Sequence, residues 1–115
     1  MSSERESRVQ EKTMAIIRKF EGYVYKNAQN LYTEKGRPDL TACIPITLKQ
    51  AAKLFGEDAT IGLFVGVELK RKGHLDEVSP AQTIVGNKIK KAGGLWLAID
   101  EPELIEALLL RFKGE

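Results

Sequence analysis

Ile61-Gly62-Leu63-Phe64-Val65-Gly66-Val67-Glu68-Leu69-Lys70 is the stretch on which the fold turns. From Ile61 to Leu69 it is nearly continuously apolar and rich in strand formers, so it is predicted to be a strand at the centre of a sheet. The run ends on an acid and a cation. Side chains alternate along a strand, so Glu68 and Lys70 point to the same face. Charges at the end of a central strand are costly to bury unless partners or a task hold them there. The plainer alternative is a strand that has reached solvent, with an ordinary surface ion pair.

Upstream, Asp39 to Ile46 reads as a second strand, with Ala42, Cys43 and Ile44 buried. Thr47 caps a short helix to Phe55, which Gly56-Glu57-Asp58 terminates. Asn27 to Pro38 is polar and contains Gly36, the composition of a loop. Tyr23-Val24-Tyr25 is a short strand. Glu4 to Phe20 places Val9, Thr13, Ile16, Ile17 and Phe20 at helical spacing, and Glu21-Gly22 ends that helix. Downstream, Lys72 to Asp76 is a turn. Ser79-Pro80 supplies an N-cap and a first-turn proline for a helix to about Lys91, closed by Gly93-Gly94. Leu95 to Ile99 is a further strand. Asp100 and Pro102 open a last helix with Leu104, Ile105, Leu108 and Leu109 on one face. The order α-β-β-(α)-β-α-β-α predicts one α/β domain over residues 1–115, with a mixed sheet flanked by helices.

Composition narrows the function classes. The chain is 43% hydrophobic and 30% charged, as in an ordinary soluble domain. A net charge of +2 is too small to imply a nucleic-acid partner by itself. Local clusters exist at Lys70-Arg71-Lys72 with His74, and at Lys88, Lys90 and Lys91; by charge alone each reads as a solvated face. One cysteine, Cys43 in an apolar run, excludes a disulfide framework or cysteine metal site within the chain. With no apolar stretch of membrane-spanning length and no signal-peptide pattern, the expectation is an intracellular protein without a membrane partner.

Asp39 turns the charged pair into a candidate site. It follows Gly36-Arg37-Pro38 directly, and the proline restricts both itself and Arg37. If the two strands pair, Asp39 and Glu68 converge. Converging carboxylates repel unless a cation joins them, and hard oxygen ligands suit Mg²⁺ or Mn²⁺. The Leu69 main-chain carbonyl can add a ligand. Lys70 can then orient or deprotonate an attacking water, or stabilise charge on a phosphate. The metal polarises the phosphoryl oxygen and acidifies bound water. Such a set points to phosphodiester hydrolysis.

At these residues the chain resembles a known family. Pro38-Asp39 followed by Glu68-Leu69-Lys70 resembles the PD-(D/E)XK signature of restriction-endonuclease-like nucleases. Gly36-Arg37-Pro38-Asp39-Leu40, the run Gly62 to Lys70, Ser79-Pro80-Ala81-Gln82 and Ala92-Gly93-Gly94 are similar, in that order, to the VRR-NUC family, particularly its compact stand-alone phage and prophage members. The likeness spans about Glu6 to the last helix. It implies an α-β-β-β-α-β core holding one or two divalent ions. Asp39 and Glu68 match the metal-binding acids, Lys70 the catalytic lysine, and Gln82 a glutamine on the following helix that completes the site.

The resemblance also implies an acid on the first helix, for which Glu4, Glu6 and Glu11 are available. Glu6 shares a helical face with Val9, Thr13, Ile17 and Phe20, and Glu6-Ser7-Arg8-Val9-Gln10 resembles the family's opening. Glu6 is therefore chosen, as a metal ligand direct or through water, with Gln10 behind it; Glu11 remains the alternative. Lys26-Asn27 matches a basic-Asn pair that contacts phosphate or orders the site. Arg37 departs from the small or apolar residue usual before the Pro-Asp, and Lys88 interrupts an apolar helix stripe. With Arg71 and Lys72, these complete the expected DNA contacts.

The activity implied is a metal-dependent DNA endonuclease selective for branched structures such as four-way junctions. A chain with one site needs a second copy to cut two strands symmetrically, so a two-fold homodimer is expected. With no separate base-reading module, recognition is expected through shape and phosphates. The alternative from another class is a non-catalytic nucleic-acid-binding module on the same fold.

Overall fold

The computed structural model describes residues 3–114, with side chains from residue 5 onward. It is a mixed α/β chain with four α-helices and four strands among the described residues. Contacts cluster into two compact units: one runs to Gly62 and includes Lys91–Gly93, the other comprises Leu63–Lys90 and Gly94 onward.

In the first unit, α1 (Ser3–Lys19) packs on β1 (Tyr23–Lys26), which pairs antiparallel with β2 (Leu40–Cys43). Met14, at 6% exposure, lies at the centre of the covered stripe, between the half-buried Gln10, Thr13 and Ile17. Val9, Ile16 and Phe20, expected on that stripe, are exposed; the covered face is narrower than the periodicity implied. Gly22 N donates to Ile17 O at 2.9 Å across Glu21, whose φ of 70° reverses the chain out of the helix. The hairpin register runs from Tyr23 opposite Cys43 to Lys26 opposite Leu40. Asn27 N extends the ladder to Asp39 O at 2.9 Å. Strand β2 is shorter than the expected 39–46 because Pro45 has no N–H for a ladder. Thr47 and Gln50 then close a reciprocal capping box on α2 (Leu48–Phe55). Met14, Val24, Cys43, Ala51 and Ala92 form this unit's buried core.

In the second unit, β3 (Val65–Leu69) pairs parallel with β4 (Leu95–Ile99), Glu68 opposite Ala98. The connection is α3 (Pro80–Lys91), and α4 (Pro102–Phe112) follows β4 and packs on it. Gly86 lets α3 approach the sheet closely: a Cβ there would lie 2.5 Å from the Trp96 ring. Ile89 and Ile99 are buried.

Four expectations are corrected. The strands form two two-stranded sheets, one antiparallel and one parallel, rather than a single mixed sheet. Among the described residues β3 pairs with β4 only, and Ile61–Phe64 lies outside any strand, although Leu95 N still reaches Phe64 O at 2.9 Å. Apolarity in that run reported hydrophobic content, not ladder position. The apolar stripe read from the α3 sequence, Ala81, Ile84, Val85 and Ile89, is covered only at Ile89; the covered residues are Gln82, Gly86 and Ile89, and Lys88 is exposed. On α4, Ile105 and Leu108 are half-buried, whereas Leu104 and Leu109 are exposed.

Candidate active site

The charged pair sits on the covered face of β3. Gly66, Glu68 and the following Lys70 are half-buried, while Val67 and Leu69 face outward, Leu69 at 70% exposure. From Val67 to Lys70 the chain thus turns its charged residues inward and its apolar ones out, the reverse of an ordinary half-buried strand. The ladder continues one residue further, Lys70 N donating to Ile99 O at 2.9 Å, which fixes the backbone beneath the lysine.

Gln82 reaches across from α3. Its Nε2 donates to Glu68 Oε1 at 2.7 Å. Its Oε1 accepts from Ser79 N at 2.8 Å, and its own N–H donates to Ser79 Oγ at 3.1 Å. The side chain is therefore pinned at both ends: it closes a capping box at the start of α3 and holds the carboxylate of β3. Lys70 Nζ stands 3.7 Å from the same Glu68 Oε1, with the lysine side chain 16% exposed and the glutamate 28%. An ammonium and a carboxylate this sheltered interact in a lower effective dielectric than a surface pair. Both partners address Oε1, so Oε2 of Glu68 has no protein partner among the described residues.

The loop after Lys70 is held by Asp100, whose Oδ2 accepts from Gly73 N at 2.9 Å. The sequence reading missed this role, because an Asp two residues before Pro102 also fits a helix opening; Glu101 occupies the N-cap position instead. Arg71 and Lys72 are exposed and pair loosely with Glu77 at 3.7 Å and Glu101 at 3.3 Å. His74 Nδ1 lies 2.9 Å from Glu77 Oε1.

The first unit holds the other candidates. Glu6, Gln10, Thr13, Asp39 and Leu40 line a cleft of about 520 Å³ between α1 and the start of β2. Glu11 lies elsewhere: Lys26 Nζ donates to its Oε1 at 2.9 Å, and that bond, with the lysine charge, holds the Glu11 carboxyl below its ordinary range. The Glu4 side chain lies outside the described residues. Asn27 staples the strand openings together, Nδ2 donating to Pro38 O and Thr41 Oγ1 at 2.8 Å each, while Oδ1 accepts from Arg37 Nη2 at 3.2 Å. Nothing in the sequence motif pointed to Thr41. These bonds fix the backbone on which Asp39 stands.

Among the described residues no three His, Cys, Asp or Glu side chains converge as a ready-made metal cage. Nor is any described helix long and apolar enough to cross a membrane. A comparison with protein-family models, curated proteins and solved structures finds no match for the chain.

Proposed function

We propose that this chain is a divalent-metal-dependent DNA endonuclease of the VRR-NUC type, built on a PD-(D/E)XK core, with Asp39, Glu68 and Lys70 at its centre. The observation that carries the reading is the sheltered Gln82–Glu68–Lys70 arrangement. A carboxylate held by an amide, with a lysine beside it and one oxygen left open, has the parts of a metal-assisted hydrolytic site. A structural ion pair needs neither the glutamine clamp nor the open oxygen.

The donor set fits Mg²⁺ or Mn²⁺. Mg²⁺ is usually held by one or two carboxylates, with water and substrate phosphate completing its shell, so it needs no cage of three acids. On β3 the open Oε2 of Glu68 and the Leu69 carbonyl would hold it; the family resemblance assigns Asp39 to the same ion, and Glu6 directly or through water. When bound, the metal supplies Lewis acidity toward the scissile phosphate and a lowered pKa for water. Lys70 orients the attacking water and stabilises charge on the phosphate. Gln82 keeps Glu68 in one rotamer. Lys26, Asn27, Arg37, Arg71, Lys72 and Lys88 are assigned to the DNA backbone, Asn27 chiefly by ordering the segment that carries Asp39.

A homodimer acting on branched DNA completes the reading. Its support is the outer stripe of α4, where Pro102, Leu109 and Leu110 line an open groove of about 390 Å³ with Glu106 and Lys113. Antiparallel pairing of two such stripes about Leu109 and Leu110 would match opposite charges across a two-fold axis.

The test uses labelled four-way junction, flap, single-stranded and linear duplex DNA with Mg²⁺, Mn²⁺ or EDTA. Cleavage is expected only with metal, preferentially on branched DNA, and is expected to disappear in Glu68→Ala and Lys70→Ala. Cleavage that survives EDTA or Glu68→Ala overturns the mechanism. Tight binding without cleavage of any substrate favours the binding-module reading.

A further inference from the structure

The loop between β1 and β2 is held firmly at its base and exposes its tip. At the base, Asn27 bonds to Asp39 O, Pro38 O, Thr41 Oγ1 and the Arg37 guanidinium. At the tip, Asn30 Oδ1 accepts from Tyr32 N at 2.8 Å, and Thr33 Oγ1 accepts from Asn30 N at 3.1 Å. Thr33 N also closes on Asn30 O at 3.3 Å. The result is a small, internally bonded loop whose ends meet, a form often found at functional positions.

This turn presents Leu31 and Tyr32, each 96% exposed. At that exposure neither side chain contributes burial to the fold. A single exposed apolar residue needs no explanation. Two adjacent large ones on a bonded turn, with only polar residues and one alanine elsewhere between Lys26 and Arg37 apart from Gly36, do. The same segment carries the exposed Lys35 and Arg37 against the single acid Glu34, while Lys26 at its start is paired with Glu11. Exposed cations on the same short loop as an exposed aromatic match a polyanion that offers flat apolar surfaces, which is the chemistry of a nucleic-acid strand with an unstacked base. The loop also runs without a break into Asp39, so the aromatic grip and the candidate metal-binding acid share one stapled segment.

We propose that Tyr32, supported by Leu31, is a stacking site for an unpaired base of the nucleic-acid substrate, with Lys35 and Arg37 on the adjoining phosphates. This rests on the nucleic-acid reading above and gives that reading a structural reason for preferring branched or single-stranded regions. A continuous duplex has no free base to offer, whereas a junction or flap can open one at modest cost.

The experiment measures binding in EDTA, where cleavage does not intervene. The probes are a single strand, a four-way junction and a blunt duplex. Each of the first two carries a fluorescent adenine analogue, quenched by stacking, at an unpaired or branch-point position. Tyr32→Ser is expected to weaken binding to the single strand and junction by about tenfold or more. It should leave the blunt duplex within about twofold, abolish the protein-induced quench, and leave the melting temperature unchanged. Tyr32→Phe should restore both affinity and quench, and Leu31→Ser should show a smaller loss with the same selectivity. Equal affinity of Tyr32→Ser and wild type for all three probes overturns the proposal. So does an equal loss on the blunt duplex, which marks a general electrostatic or folding effect. If wild-type cleavage with Mg²⁺ persists in either case, the nuclease reading stands without the stacking site. If wild type binds none of the probes, both fall.

Discussion

Gln82 does two jobs with one side chain, closing the start of α3 and clamping Glu68. Gln82→Ala should therefore show two separable losses. Removing the cap and leaving Glu68 Oε1 with one partner fewer should cost about 1–2 kcal/mol of stability in a denaturant titration. Releasing Glu68 should raise the Mg²⁺ concentration needed for half-maximal cleavage by about 10–100-fold, the usual cost of losing a ligand's supporting contact. A loss of stability with an unchanged Mg²⁺ requirement would reduce Gln82 to a capping residue. Lys26 offers a simpler check. Its hydrogen bond and charge lower the Glu11 pKa, so Lys26→Met should move that pKa upward toward the ordinary carboxylate value in an NMR titration. A folded-state pKa held low means that the Glu11 interaction is present above the unfolded pKa and is lost as pH falls through the folded one. The pair is exposed, so its weight in overall stability is small. An unmoved pKa would show that the bond does not persist in solution.

Helix α3 positions Gln82, and Gly86 positions α3. With a Cβ only 2.5 Å from the Trp96 ring, even Gly86→Ala has to push helix and strand apart, and Gly86→Val more so. Overpacking of this kind costs about 1–3 kcal/mol. Gly86→Val is accordingly expected to lower the melting temperature and, by moving Gln82 away from Glu68, to impair cleavage beyond the loss of folded protein. Full specific activity at a temperature where the variant is folded would show that the Gln82–Glu68 distance is not critical. Much at this level was legible beforehand. Thr47 capping α2, Ser79 capping α3, and Gly93-Gly94 closing it are local signals, satisfied by groups three to five residues away. The covered faces of α1 and α3 were less legible. Periodicity identifies an apolar stripe but not how wide a neighbour covers it, which is why Met14 and Gly86 are buried while Ile16 and Ile84 are exposed.

For the molecule as a whole, recognition through phosphates implies binding that weakens steeply as salt rises, without preference for a short duplex sequence. Anisotropy titrations across salt concentrations on several unrelated sequences check both. A flat salt dependence, or strong preference for one sequence, would contradict shape-directed binding. The proposed dimer is checked by sedimentation equilibrium at micromolar concentration, with Leu109→Glu and Leu110→Glu together shifting the protein to monomer. Cleavage of junctions by a protein that sediments only as monomer would remove the dimer from the reading.

The amino-acid order by itself determined the succession of helices and strands, the caps of α2 and α3, and the placing of Glu68 and Lys70 on one strand face. Each follows from period, turn chemistry or side-chain alternation over a few residues. Tertiary structure decided which face of β3 is covered, and that it is the charged one. It also decided that Gln82 reaches Glu68, that Asn27 staples the segment bearing Asp39, that Asp100 holds the loop after Lys70, and that Leu31 and Tyr32 are left in water. These depend on packing between segments 11 to 27 residues apart, or on its absence, and local patterning carries no record of such distances. Likewise, an apolar run can report that a segment is suited to burial, but only the assembled chain determines how much of it becomes strand and which neighbour it pairs with.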